Sequence, residues 1–269
     1  MFFEDGYGVL YRYGWIAMSL PKGTQVTASA QGTWFTATHW SLILNAQDTA
    51  SPLAAAALEK LCRTYWYPLY VYVRRRGHSV EDAQDLTQQF FAHLLQKGHF
   101  RVADPGRGRF RTFLLHGLEH FLINEWKRAH RAKRGGETPS LSLDAEDAEH
   151  RYANEPATTM TPERAYEKRW AMTLLEQVLA ALQREYAEAG NTRVFEELAE
   201  LLWGKDASTS YALIGERLGM TEGAARGAMH RLRERYRERL RAEVAQTVAH
   251  ADEVEEELRY LIAVVSQRE

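Results

Sequence analysis

With 269 residues, 45% of them hydrophobic, the chain can bury one large core or two small ones, and no apolar run reaches the roughly 18 residues that a membrane span needs. The lone cysteine, Cys62 in the apolar run LEKLCRTYWYP, excludes an internal disulfide and a thiolate-rich metal site, and reads as a buried structural thiol. A formal net charge of -2 hides an uneven distribution: residues 61–134 hold 14 Lys and Arg against 6 Asp and Glu, residues 135–163 hold 1 against 7, and residues 207–243 hold 8 against 5, so two basic modules flank an acidic strip.

In chain order, residues 1–32 read as a weakly structured extension, because Gly6, Gly8, Gly14, Pro21, Gly23 and Gly32 interrupt every candidate helix. The stretch lacks a basic start followed by a long apolar segment, so it is not expected to be a signal peptide and a cytoplasmic location follows; Met18 is a second candidate start. Beyond it the periodicity is helical nearly throughout, with no repeat of solenoid length, which predicts an all-α protein. Residues 79–96, SVEDAQDLTQQFFAHLLQ, open with a Ser-x-x-Asp capping pattern and set Ala83, Leu86, Phe90 and Leu94 on one stripe, widened by Phe91 and Leu95. The other side gathers Asp82, Asp85, Gln88, Gln89 and Gln96, a polar ridge whose acidic end lies where the helix dipole favours it. On spacing alone such a ridge is a solvated face.

Residues 109–134 predict a long helix with an apolar side made by Phe110, Phe113, Leu114, Leu118, Phe121 and Leu122. Its other side is a hydrogen-bonding and cationic stripe: Thr112, His116, His120, Asn124, Lys127 or Arg128, and Arg131 follow at intervals of three or four, with Trp126 in it or beside it. Few carboxylates interrupt it, only Glu119 and Glu125, so it suits phosphates and unstacked bases better than a merely solvated face does. Within it, His116, Glu119 and His120 match the H-x-x-E-H pattern of zinc peptidases, but five residues are a cheap match and no further ligand presents itself; no cofactor or metal is expected.

The acidic strip, residues 135–163, carries paired glycines and three prolines without apolar periodicity, and reads as a mobile linker that competes with DNA for the basic modules. Two core helices follow, one on Trp170, Leu174, Val178, Leu182 and Tyr186, the next, after a break at Gly190, on Val194, Leu198, Leu201 and Leu202. Residues 211–240, YALIGERLGMTEGAARGAMHRLRERYRERL, have helix-turn-helix spacing: a short helix with Ser208, Thr209 and Ser210 as candidate caps, Gly219 for a left-handed turn, and Thr221 capping a second helix. On that helix Ala225, Met229, Leu232, Tyr236 and Leu240 face inward, and Arg226, His230, Arg233, Arg237 and Arg241 run beside them. An arginine at every second position from Arg231 to Arg241 advances about 200° per step and rings the surface, partly offset by Glu222, Glu234 and Glu238. Last comes an amphipathic helix with Val254, Leu258, Leu261, Ile262 and Val265 on one stripe behind an Asp-x-x-Glu cap at Asp252, expected to pack on the second domain or to meet a regulatory partner.

The order of a basic helical module containing AQDLTQQFF, an acidic linker and GERLGMTEGAARGAMHRLR resembles bacterial RNA polymerase sigma factors of the extracytoplasmic-function type, from about residue 36 to residue 266. The resemblance implies two small helical domains, a region 2-like bundle at 36–134 and a region 4-like helix-turn-helix at 164–243, joined by the linker at 135–163 and followed by an extension at 244–269. It implies a non-enzymatic protein that binds core RNA polymerase, directs it to promoter DNA and helps melt it, with an anti-sigma protein or a kinase as candidate regulators. Asp82, Asp85, Gln88 and Gln89 would then meet polymerase, with Gln89 standing where Glu is common; residues 98–108 would capture an everted base, and Arg109, Thr112, His116, His120, Asn124, Lys127, Arg128 and Arg131 would face the minus-ten element. Thr221, Glu222, Arg226, His230, Arg231 and Arg233 would approach the minus-thirty-five element, where Gly227 and Ala228 replace the common Ser and Arg and shift the reliance to phosphates and DNA shape. The competing reading is a stand-alone helix-turn-helix regulator, and behind it a zinc hydrolase on His116, Glu119 and His120.

Overall fold

The structure, a computed structural model, describes residues 52–96, 109–131, 145–153, 160–202 and 210–266. Among them are the helices α1 (Pro52–Arg75), α2 (Val80–Gln96), α3 (Phe110–Arg131), α4 (Ala145–Ala153), α5 (Pro162–Glu188), α6 (Thr192–Leu202), α7 (Tyr211–Leu218), α8 (Glu222–Ala245) and α9 (Val254–Ser266), and no strand. The expected amino-terminal extension, the loop 98–108, most of the acidic strip, and Ser208 and Thr209 lie outside the described residues. Contacts divide the chain into two units: the described parts of Phe35–Trp170 with Ala245–Glu253, and Ala171–Val244 with the described part of Val254–Glu269. The division within α5 falls seven residues after the boundary expected at 163/164.

The first unit is built round α1. Tyr65, Trp66, Tyr67, Leu69, Tyr70, Val71, Tyr72 and Val73 are all buried, and a helix apolar on every side has to be surrounded; α2, α3 and α4 pack around it. Pro68 sits inside α1 and is buried too. Its missing N–H removes a ladder bond, a cost of about 3 kcal/mol in a helix interior, which this packing outweighs. Ser79 caps α2, its Oγ accepting from the Asp82 N–H at 3.1 Å. Below the cap Ala83, Thr87, Phe90, Phe91 and Leu94 are buried; Thr87 is tolerated there because its hydroxyl donates to the Ala83 carbonyl at 2.7 Å. Against them α3 brings Phe110, Leu114, Leu115, Leu118 and Phe121, with Phe90 and Phe121 ring centroids 5.8 Å apart. The start of α5 closes this core: the Tyr166 hydroxyl donates to the Arg111 carbonyl at 2.9 Å, and the buried Arg111 guanidinium lies 4.7 Å from the centre of the Trp170 ring.

The acidic strip departs from the expectation of a linker mobile throughout. Residues Ala145–Ala153 form α4, and it docks on α1: Glu149 accepts from the Tyr70 hydroxyl and from Arg74, at 3.2 Å from Nε and 3.0 Å from NH2. Tyr152 meets Tyr70 edge-on at 6.2 Å, Arg151 lies 4.1 Å over the Tyr67 ring, and Ala148 is buried. Three partners on α1, Tyr67, Tyr70 and Arg74, fix a nine-residue helix that could not persist alone.

In the second unit α5 contributes Ala171, Leu174, Leu175, Val178, Leu182 and Tyr186, and the chain breaks at Gly190 before α6 adds Phe195, Leu198 and Leu202. Ser210, the one described candidate of the three, caps α7, its Oγ accepting from the Ala212 N–H at 3.0 Å. Gly219 ends it at φ 66°, and the Met220 N–H donates to the Gly215 carbonyl at 2.8 Å. Thr221 Oγ1 then accepts from the Ala224 N–H at 3.2 Å and starts α8, which buries Ala225, Ala228, Met229, Leu232, Tyr236, Leu240 and Val244. The stripe expected on α9 is buried residue for residue, Val254, Leu258, Leu261, Ile262 and Val265. Just before α9 the Glu253 carboxylate turns back to accept from the N–H groups of Ala249 and His250 at 3.1 and 3.3 Å, and Asp252, the expected cap of α9, is exposed.

Candidate nucleic-acid interface

Two exposed faces of the first unit follow from how its core is filled. Because α2 turns Ala83, Thr87, Phe90 and Leu94 inward, Asp82 and Asp85 stand exposed and Gln88 and Gln89 half-exposed on the far side. The four expected ridge residues therefore do share an accessible face. On α3 the same logic exposes Thr112, His116, His120, Asn124, Lys127 and Arg128. Ile123 and Trp126 join them at 47% and 62% exposure, which makes this face apolar as well as cationic. Arg131 lies in α3, but its side chain is outside the described residues.

Members of the stripe have partners of different kinds. Arg128 NH1 pairs with Glu125 at 2.8 Å one turn away; Arg128 is exposed and Glu125 half-buried, and the pair is worth about 0.5 kcal/mol, so a phosphate can replace it. Arg109 differs: its side chain is only 17% exposed, and NH1 is 2.6 Å from the Glu253 carboxylate. Sequence reasoning missed this because the partner lies 144 positions away, in the segment between α8 and α9.

The H-x-x-E-H residues are arranged for hydrogen bonding. Glu119 Oε1 accepts from the Tyr72 hydroxyl at 3.0 Å and Oε2 meets His116 Nδ1 at 3.1 Å, so both oxygens of the would-be base are engaged. Burial, then the Glu119 carboxylate, pushes the Tyr72 hydroxyl up to about 12, and it stays a donor at neutral pH. Among the described residues no group of three or more His, Cys, Asp and Glu is placed to hold a metal ion.

On α8 the arginines separate into two sets. Arg235 lies 5.7 Å over the Tyr186 ring, Arg239 pairs with Glu185, and Arg241 Nε reaches Glu255 at 2.9 Å, all within the second unit. Arg233 and Arg237 are half-buried with their Nε atoms enclosed. Thr221, Glu222, Arg226, His230 and Arg231 are exposed around the start of the helix. Arg226 spans Glu222, at 2.6 Å from NH2, and the Tyr211 ring, at 5.2 Å. Of the six residues expected on this face, five point outward and Arg233 turns toward the body of the unit. Ala228 is buried, so its position could not have carried an outward arginine, whereas half-buried Gly227 would place a Cβ 3.4 Å from Arg231 NH1. The arginines toward the end of α8 thus reach other residues of the unit, although Arg235, Arg239 and Arg241 stay exposed, and Arg226 and Arg231 lie at the helix start, where duplex-docking helices present their contacts.

Among the described residues no helix is long and apolar enough to cross a membrane. The family model described as Sigma-70 region 2 matches residues 61–132, which span most of α1 together with α2 and α3 and carry both exposed faces of the first unit. No curated protein and no solved structure matches the chain.

Proposed function

We propose, from the premise that residues 61–132 are a sigma-70 region 2 and make this a sigma-70 family protein with a role in transcription initiation, that the chain is an extracytoplasmic-function-type sigma factor. In this role Asp82, Asp85, Gln88 and Gln89 on α2 bind core RNA polymerase, and the α3 face opposite the core binds the minus-ten element and holds its strands apart. Residues 210–245 read the minus-thirty-five element, with Arg226, His230 and Arg231 at the helix start supplying most of the contact through phosphates.

The chain makes and breaks no bond in this reaction. Exposed Trp126 offers a ring on which an unpaired base stacks, Asn124 and Thr112 offer hydrogen-bonding groups, and Lys127 and Arg128 neutralise the backbone. Stacking is worth about 1–3 kcal/mol per base, comparable to the cost of unpairing one, so captured bases tilt the equilibrium toward the open duplex. The observation that carries the proposal is the coincidence of the region 2 match with a bundle whose two exposed helix faces differ in character, one acidic and amide-rich, the other cationic with an exposed indole.

The test is co-purification with core polymerase. Wild-type protein should be retained and should direct initiation on a subset of templates, and Asp85→Arg should lose both without loss of helicity. Retention of Asp85→Arg at wild-type level, or binding of duplex DNA with no affinity for polymerase, would replace the proposal by a stand-alone regulator.

A further inference from the structure

Between α8 and α9, the segment Ala245–Glu253 belongs to the first unit and is held there near both of its ends. Lys60 Nζ donates to Gln246 Oε1 at 2.5 Å, and Thr247 and Val248 are each only 1% exposed. At the far end Glu253 is fixed twice, by the Ala249 and His250 N–H groups and by Arg109 NH1 at 2.6 Å. Arg109 is the residue immediately before α3, and its own carbonyl accepts from the N–H groups of Thr112 and Phe113. Arg109 therefore starts the helix at the amino end of the stripe, where the helix dipole and a cation together favour an anion.

We infer that Ala245–Glu253 is an autoinhibitory strap, with the Glu253 carboxylate occupying on Arg109 the position that a nucleic-acid phosphate takes when DNA binds along α3. A carboxylate and a phosphate offer a guanidinium the same pair of acceptor oxygens, so they compete for one site. The strap makes its carboxylate a strong competitor by orienting it in advance with two backbone amides, and a displaceable one because His250, Ala251 and Asp252 beside it are exposed, so DNA can lift the Glu253 end while Thr247 and Val248 stay buried. The exchange turns a cation that is largely covered into the first contact of the stripe, and it ties DNA binding by the region 2 unit to the segment that precedes α9.

This rests on the reading of α3 as a DNA-binding face. The test uses full-length protein and a fluorescent promoter-sequence oligonucleotide, single-stranded in one arm and duplex in the other, with Glu253→Gln, Arg109→Gln and the double variant. Glu253→Gln should tighten binding about three- to fivefold at low salt, the size of one freed ion pair. The same change in the Arg109→Gln background should have no effect. In wild-type protein, amide exchange at Ala249 and His250 should accelerate when oligonucleotide saturates α3. Unchanged affinity in Glu253→Gln, an increase that persists without Arg109, or Ala249 and His250 amides still protected at saturation would each overturn the strap. If no variant binds oligonucleotide, the strap is also overturned; retention of polymerase binding, lost in Asp85→Arg, then leaves the sigma-factor reading standing without it.

Discussion

Glu149 shows how one residue turns part of an acidic strip into structure. Burial on its own would raise its carboxyl, but donation from the Tyr70 hydroxyl and from Arg74 outweighs it and holds the group below its ordinary value of 4.5. Tyr70 is pushed up in return, first by burial and then by the carboxylate, so the hydroxyl keeps its proton and remains the donor. A carboxyl with a depressed folded-state value stabilises the fold at pH above its unfolded value, and that contribution disappears as pH falls through the folded value. Glu149→Gln is therefore expected to cost about 1 kcal/mol at pH 7, with a deficit that shrinks to nothing under acid where the wild-type carboxyl is protonated too. Urea denaturation at a series of pH values checks this, and a deficit independent of pH would mean that Glu149 acts through packing and not through charge. Cys62 is the contrasting residue: only half-buried where full burial was expected, its thiol is nevertheless pushed up to about 11 by burial and stays protonated at neutral pH, in keeping with a structural role.

At the scale of elements, the turn between α7 and α8 is set by two glycines with different tasks. Gly219 takes the left-handed conformation, whereas Gly215 lies on α7 where the chain folds back so closely that a Cβ would stand 2.7 Å from the Met220 carbonyl oxygen and 3.3 Å from the Glu222 nitrogen. Both neighbours are backbone and cannot rotate away. Gly215→Ala should cost about 2 kcal/mol or more, and Gly223→Ala, into open space on a helix, should stabilise by up to about 1 kcal/mol. Denaturation of the two variants should thus move in opposite directions, and a neutral Gly215→Ala would mean that the close approach does not restrict this position.

This turn was legible in the sequence because its signals are local: a Ser cap, a glycine, a Thr cap and two apolar stripes at helical spacing. The stripes of α2, α8 and α9 were legible for the same reason, each having one face in a core and one in water. What the sequence concealed lacks that contrast. On α1 the buried run from Tyr65 to Val73 is apolar all round and interrupted by Pro68, so it has no period to read and an apparent breaker in its middle. On α4 the helix draws its stability from Tyr70, Arg74 and Tyr67, over 70 positions earlier, and its own composition argues against packing. The site follows the same division. Which residues of α2, α3 and α8 face outward could mostly be read from spacing, but the half-burial of Arg233, two turns from exposed Arg226, and the occupation of Arg109 by Glu253, depend on what the fold brings alongside.

For the whole molecule, a net charge of -2 coexists with cationic faces on two separate units because the carboxylates are placed elsewhere, and several are spent on particular arginines: Glu149 on Arg74, Glu253 on Arg109, Glu185 on Arg239 and Glu255 on Arg241. On the two proposed DNA faces the accessible cations among the described residues include Lys127 and Arg128 on α3 and Arg226 and Arg231 on α8, where the pairs of exposed Arg128 with half-buried Glu125 and of exposed Arg226 with Glu222 are weak enough to exchange for phosphates. Each phosphate contact contributes about one unit to the slope of log affinity against log salt. If one promoter engages both units at once, as the proposed function requires, the contributions belong to one binding event and add. Holoenzyme binding to promoter DNA across a salt series should lose about two units of slope in Lys127→Ala/Arg128→Ala, about two in Arg226→Ala/Arg231→Ala, and about four in the quadruple variant. A quadruple variant no shallower than the worse of the two pairs would mean that only one unit touches the DNA, and the division of labour between them would have to be abandoned.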